Sequence, residues 1–123
     1  MGYAGSMNAS KRATHTCAVT TTVDVIGGKW KTVALYHLLK QPVRFAELQR
    51  KLPGVTQRML TLQLRELEAD GLVHREVYPQ VPPKVEYSLT ELGQSLEPII
   101  RAMLAWGEAY QARGGVNESA FQP

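Results

Sequence analysis

Apolar residues recur along most of this chain at the three- and four-residue spacing of helices, and one stretch changes to a two-residue period. Val19, Val23 and Ile26 define a short first helix that Gly27-Gly28 stops. Trp30 to Leu39 follows, with Trp30, Val33, Ala34, Leu38 and Leu39 as its apolar face, and Gln41-Pro42 closes it. Phe45 to Leu52 makes a third short helix on Phe45, Leu48 and Leu52, and Pro53-Gly54 reads as a turn. The clearest helix runs from Thr56, a suitable N-cap, to Asp70. Leu60, Leu64 and Leu67 form its stripe, and Gly71 suits the position after its C-cap.

Beyond Gly71 the period changes. Leu72 to Tyr78 is β-branched and aromatic, Val85 to Leu89 alternates apolar with polar, and Pro79-Gln80-Val81-Pro82-Pro83 lies between them. This pattern predicts a β-hairpin with its prolines confined to the tip. Thr90 then caps a long helix reaching about Arg113, with a bend expected at Glu97-Pro98. Its stripe of Leu92, Leu96, Ile99, Met103, Trp106 and Tyr110 widens through Ile100 and Leu104. That is more apolar surface than packing on one small domain requires, so a partner helix is expected; the alternative is that all of it folds onto the winged domain.

The fold class is mainly α with a small β-hairpin (α+β): a winged helix-turn-helix with N- and C-terminal dimerisation helices. Val19 and Val23 are the dimerisation candidates on the first helix. Ile99, Ile100, Met103, Leu104, Trp106 and Tyr110 are those on the last. Residues 1–16, rich in Gly, Ala, Ser, Thr and Asn, read as a flexible arm. Met1–Ser6, ahead of a second methionine, has the look of an expression leftover. Residues 17–113 form the domain, and 114–123 a flexible tail.

Composition narrows the class. A chain of 123 residues fits one domain with a modest core, and 44% apolar with 20% charged residues is ordinary for a globular protein. No apolar run is long enough to cross a membrane and no secretory leader is visible, so the expected location is cytoplasmic. A single cysteine, Cys17, excludes an intrachain disulfide and a Cys-rich zinc site. The net charge of +3 favours a polyanionic partner without identifying one.

Position matters more than net charge. A short helix, a tight turn and a second helix with a polar outer face make a helix-turn-helix. At about 100° per residue, Arg58, Thr61, Leu62 and Arg65 project opposite the leucine stripe. Arginine can donate to guanine O6 and N7 with both arms, and a Thr methyl or Leu can pack on a thymine methyl. Gln57 suits an adenine or a phosphate. Arg44, at the entrance to the first helix of the motif, is a candidate phosphate clamp, and Lys84 beside the proline-rich tip is another. Lys29, Lys31 and Lys51 could extend the basic rim, although each is also an ordinary surface lysine by type. The expected partner is double-stranded DNA.

The strings that carry these features resemble the HxlR family of regulators. They are Asp24-Val-Ile-Gly-Gly-Lys-Trp-Lys31, Arg44-Phe-Ala-Glu-Leu48, Leu52-Pro-Gly-Val-Thr-Gln-Arg-Met-Leu60, Gln63-Leu-Arg-Glu-Leu-Glu-Ala-Asp-Gly-Leu-Val73 and Val81-Pro-Pro-Lys-Val-Glu-Tyr-Ser-Leu-Thr-Glu-Leu-Gly93. The resemblance spans roughly Cys17 to Glu108. It implies a MarR-like winged helix, a homodimer, a palindromic operator and no enzymatic activity. Some members sense oxidants or electrophiles through a cysteine near the N-terminus, which makes Cys17 a candidate redox sensor. The frequent Cys-Pro pattern is replaced here by Cys17-Ala18. A packed, inert cysteine is the alternative, with a small-molecule effector acting instead.

No catalytic constellation accompanies these features. His15, His37 and His74 are scattered, no metal site follows from their spacing, and Gly27-Gly28 joins two helices rather than a strand and a helix. No cofactor is expected. Asp24 and the Glu66/Glu68/Asp70 cluster read as capping and solvated charges. A winged helix used only for protein interaction and a thiol-dependent enzyme built on Cys17 are the rival readings.

Overall fold

The computed structural model describes residues 17–114; the expected arm and most of the expected tail lie outside them. The elements are α1 (Ala18–Ile26), α2 (Lys31–His37), β1 (Val43–Arg44), α3 (Phe45–Lys51), α4 (Gln57–Ala69), β2 (Val73–Tyr78), β3 (Lys84–Leu89), α5 (Glu91–Gln94) and α6 (Glu97–Ala112).

Leucines make the core. Leu35 and Leu38 from the α2 segment, Leu48 and Leu52 around α3, and Leu60, Leu64 and Leu67 of α4 are almost wholly buried. Each such side chain contributes about 1.5–3 kcal/mol when removed from water. Ile26, Val43, Val73, Tyr87 and Ile100 close the cluster from the other elements. The leucine stripe expected on α4 is thus the centre of the domain.

Caps set the ends of α4. Thr56 has extended backbone and its Oγ1 accepts from the Met59 N–H at 3.0 Å, satisfying one otherwise unpartnered donor. At the far end Gly71 has φ +81, a left-handed conformation that favours glycine, and Leu72 N–H donates to the Leu67 carbonyl at 3.0 Å. The chain thereby reverses directly into the wing.

The wing has a third strand that the sequence pattern did not separate from its loop. β1 pairs antiparallel with β3, which pairs with β2, in the order β1-β3-β2. Two residues are too few to display a period, and Val43–Arg44 owes its strand to the edge that β3 offers.

Three expectations about helices need correction. α2 ends at His37 rather than Leu39, and it buries Ala34 and Leu35 while Val33 is exposed. The expected long C-terminal helix is two helices, because α5 is a single turn and Pro98 lies in the first turn of α6. Proline there occupies a position where its missing N–H costs no helical bond, so it starts a helix instead of bending one. Finally, Ile100 is 2% exposed and packs in the chain's own core, so it is a core residue and not part of a free dimerisation stripe.

The remaining apolar candidates stay outside. Val19 and Val23 on α1, and Ile99, Met103, Leu104, Trp106 and Tyr110 on α6, are all exposed, with Trp106 and Tyr110 stacked at 4.9 Å. Only Ile26 anchors α1 as a buried residue.

Candidate DNA interface

The helix-turn-helix is α3, the turn 52–56 and α4. Leu52 and Val55 are buried in the turn, and Val55 N–H donates to the Leu52 carbonyl at 3.1 Å. Gly54 adopts φ +94 between them, so the two helices approach through a turn pinned by apolar anchors on both sides.

Burying Leu60, Leu64 and Leu67 turns the opposite side of α4 to solvent. Thr56, Gln57, Arg58, Thr61, Leu62 and Arg65 together line one open depression there. Leu62 is 54% exposed with Arg58 and Arg65 flanking it. The Thr61 hydroxyl donates to the Gln57 carbonyl at 2.8 Å, so it is engaged within its own helix. Five sequence candidates are therefore brought onto one surface of one helix.

The other two candidates lie elsewhere. Side chains alternate across a strand, so Lys84, Glu86, Tyr78 and Glu76 share the wing face opposite to Tyr87, Val85, Arg75 and Val77. Lys84 Nζ sits 4.6 Å from the centroid of the Tyr78 ring and 3.7 Å from the Glu86 carboxylate. The Tyr78 hydroxyl donates to Glu86 at 3.2 Å, and the neighbouring carboxylate pushes its pKa up. Arg44, paired in register with Glu86, lies on the same face as Lys84 and shares a hollow with Glu47, Arg50 and Glu86. Arg44 and Lys84 therefore flank the wing and do not adjoin the face of α4.

Lys31 is no rim lysine. It is buried, and its Nζ lies 2.6 Å from the Glu66 carboxylate on α4. Glu66 is thus a packing partner and not one of several solvated acids. Its signal in the sequence was faint: Lys31 stands in the first turn of a helix whose inner face is otherwise apolar.

Sequence reasoning also missed Arg75. The wing side facing α4 carries a cleft of about 480 Å³ lined by Phe45, Gln57, Thr61, Arg65, Glu68, Arg75, Val85 and Tyr87. Within the pattern Val73-x-Arg75-x-Val77 the arginine occupies the apolar phase, and that anomaly was the available clue.

Cys17 is the N-cap residue of α1 and is exposed. The backbone N–H of Thr20, followed by that of Val19, draws its thiol below the usual range, although the sulfur closes no full capping hydrogen bond. Among the described residues no three His, Cys, Asp or Glu side chains are grouped to hold a metal ion. No helix among them is long and apolar enough to cross a membrane.

Comparison with known proteins agrees with this geometry. The family described as HxlR-like helix-turn-helix matches residues 25–114. The chain belongs to that family. This HxlR-like regulator is 64% identical over 97 residues to the HTH-type transcriptional regulator YdeP of Bacillus subtilis, covering 79% of this chain and 76% of YdeP. Its fold matches the redox regulator HypR in its reduced form with a TM-score of 0.75 and 63% identity, over 77% of this chain and 94% of HypR. The oxidised form of HypR matches with a TM-score of 0.73. A MarR-family regulator of Porphyromonas gingivalis matches at 0.74 with 36% identity, over 76% of this chain and 92% of that one. The HxlR-like chain is accordingly a DNA-binding transcriptional regulator and not an enzyme.

Proposed function

We propose that this regulator acts in the cytoplasm as a homodimer on an inverted-repeat operator, reading bases with Arg58, Thr61, Leu62 and Arg65, with Gln57 supporting on a base or a phosphate. The observation that carries the reading is Leu62, an exposed apolar side chain set between two arginines on the uncovered face of a capped, core-anchored helix. Water gives no reason for that arrangement, whereas a major groove offers guanine acceptors beside thymine methyls. Arg44 and Lys84, on the flank of the wing, hold outer phosphates.

Dimerisation rests on α1 and α6. Nine residues with three consecutive threonines make a poor isolated helix, and α1 leaves Val19 and Val23 in solvent. Ile99, Met103, Trp106 and Tyr110 follow one stripe of α6, and an exposed apolar stripe of this kind is the surface of a partner helix. Two-fold pairing sets two α4 helices roughly one DNA turn apart.

Cys17 supplies the response to oxidants or electrophiles. Its exposure and its lowered pKa favour thiolate attack, and HypR, a redox regulator, shares the fold. With one cysteine per chain, oxidation couples Cys17 to the partner's thiol or to a small thiol, with the two electrons passing to the oxidant.

Selection of bound sequences from random duplex DNA, with reduced and with diamide-treated protein, tests the reading. Enrichment of an inverted repeat that oxidation abolishes is the expected result. Enrichment unaffected by diamide removes the redox role, and no enrichment in either state removes the operator reading.

A further inference from the structure

We propose that the cleft between α4 and the wing seats the DNA strand that separates the two grooves, and that Arg75 clamps one of its phosphodiesters opposite Arg65. The inference rests on the operator reading above and adds to it a site, a ligand group and a residue.

Geometry requires something there. With α4 in a major groove and the wing tip directed to the neighbouring minor groove, the intervening backbone must cross whatever lies between helix and wing. What lies between them is the cleft of about 480 Å³. From α4 it receives Gln57, Thr61, Arg65 and Glu68, which fall on one stripe of the helix; from the wing it receives Arg75 and Tyr87.

The two guanidiniums are available. Arg50, Arg101, Lys31, Lys51 and Lys84 each lie within ion-pair distance of a carboxylate, but among the described residues no such pair involves Arg65 or Arg75. A guanidinium is planar, permanently charged and matched to two phosphate oxygens at once. Arg65 borders both the cleft and the base-reading depression, so it stands where groove gives way to backbone.

Arg75 is also placed by the sheet. It is the register partner of Tyr87, which is 6% exposed, so its side chain leaves the wing on the same face as Tyr87 and enters the lining of the cleft beside it. Burial pushes the Tyr87 pKa up, and Arg75 only partly opposes this, so the phenol stays neutral and does not compete as an anion. Glu68 is the one acid of the lining. It lies a helical turn beyond Arg65, away from the α4 N-terminus, and its charge limits the phosphate track at that end. Lys84 faces the other side of the wing and takes no part.

The test uses the full chain, the duplex enriched by selection and a random-sequence duplex of equal length, titrated over a series of salt concentrations. Arg75→Ala is expected to weaken both duplexes by a similar factor, about tenfold. It should also lower the slope of log affinity against log salt by about one contact per chain. Arg75→Lys should keep the slope and lose part of the affinity. An unchanged slope in Arg75→Ala, or a loss confined to the enriched duplex, overturns the clamp. A second measurement reads the contact from the DNA side, with the fold of Arg75→Ala verified by a circular dichroism spectrum equal to that of the native chain: single phosphates are replaced by methylphosphonate in the duplex. The expected result is one phosphate per half-site whose neutralisation weakens the native chain but not Arg75→Ala, and equal effects in both proteins at every phosphate overturn the proposal. If the native chain binds neither duplex, the operator reading itself has failed, an outcome distinct from a silent Arg75.

Discussion

Lys31 Nζ lies 2.6 Å from the Glu66 carboxylate, and the two ends of this contact are unequally wet: the lysine side chain is 7% exposed and the glutamate 30%. The pair joins the first turn of α2 to α4, the helix proposed to read bases, one residue from Arg65. Removing a partner from a buried ion pair is costly mainly for the charge left behind. Glu66→Ala strands a buried ammonium and should destabilise the fold by about 2–3 kcal/mol. Lys31→Met leaves a carboxylate that water can reach and an apolar chain in the lysine's track, so its cost should be about 1 kcal/mol or less. Urea denaturation of both variants measures the asymmetry, and equal losses would show that the pair is not governed by burial.

Gly93 owes its place to a close approach. A Cβ there would stand 2.1 Å from the Leu72 carbonyl oxygen, which itself accepts from Thr90 N–H at 3.0 Å. Thr90 Oγ1 also accepts from Gly93 N–H and donates to the Gly71 carbonyl, so backbone is packed on backbone with no flexible side chain to yield. Gly93→Ala should destabilise by about 2–4 kcal/mol, seen as a lower denaturation midpoint with unchanged m-value.

Trp106 stacks on Tyr110 and is 67% exposed, so the single chain gains little from it. In a dimer built on α6 it becomes an aromatic anchor. Trp106→Ala should therefore leave the circular dichroism spectrum unchanged and raise the dimer dissociation constant by about tenfold or more. Sedimentation across a concentration series reads the shift; an unaltered distribution would place the interface elsewhere.

The N–H groups of Thr20 and Val19 at the start of α1 hold the Cys17 pKa below its ordinary value. The folded chain should then react with iodoacetamide at neutral pH faster than the same chain in denaturant, and the pH midpoint of the rate should rise on unfolding. The sign for stability follows: ionisation favours the folded helix start above the unfolded thiol pKa, and that preference is lost as pH falls through the folded one. Equal midpoints in the two states would remove the activation of Cys17.

The helices, the turn and the hairpin were legible because each is specified by its own short stretch of chain. Leu60, Leu64 and Leu67 can share one face only as a helix, Thr56 and Gly71 mark its ends by local hydrogen bonding and backbone freedom, and the side opposite the leucines must carry Arg58, Leu62 and Arg65. The sequence by itself therefore determined the winged helix-turn-helix and which side of α4 faces solvent. Tertiary structure decided what depends on a neighbour from a distant part of the chain. β1 exists because β3 offers it an edge, Ile100 is core because α6 lies on α2, and Lys31 is buried because Glu66 comes within reach. Arg75 and Lys84 are both basic residues on the wing, alike in the linear pattern; only the pairing of β2 with β3 and the packing of α4 on that sheet put one in the cleft and the other on the far face. Local periodicity fixes which side of an element is apolar, but which polar residues meet across a gap is set by long-range packing, and no short window of sequence contains it.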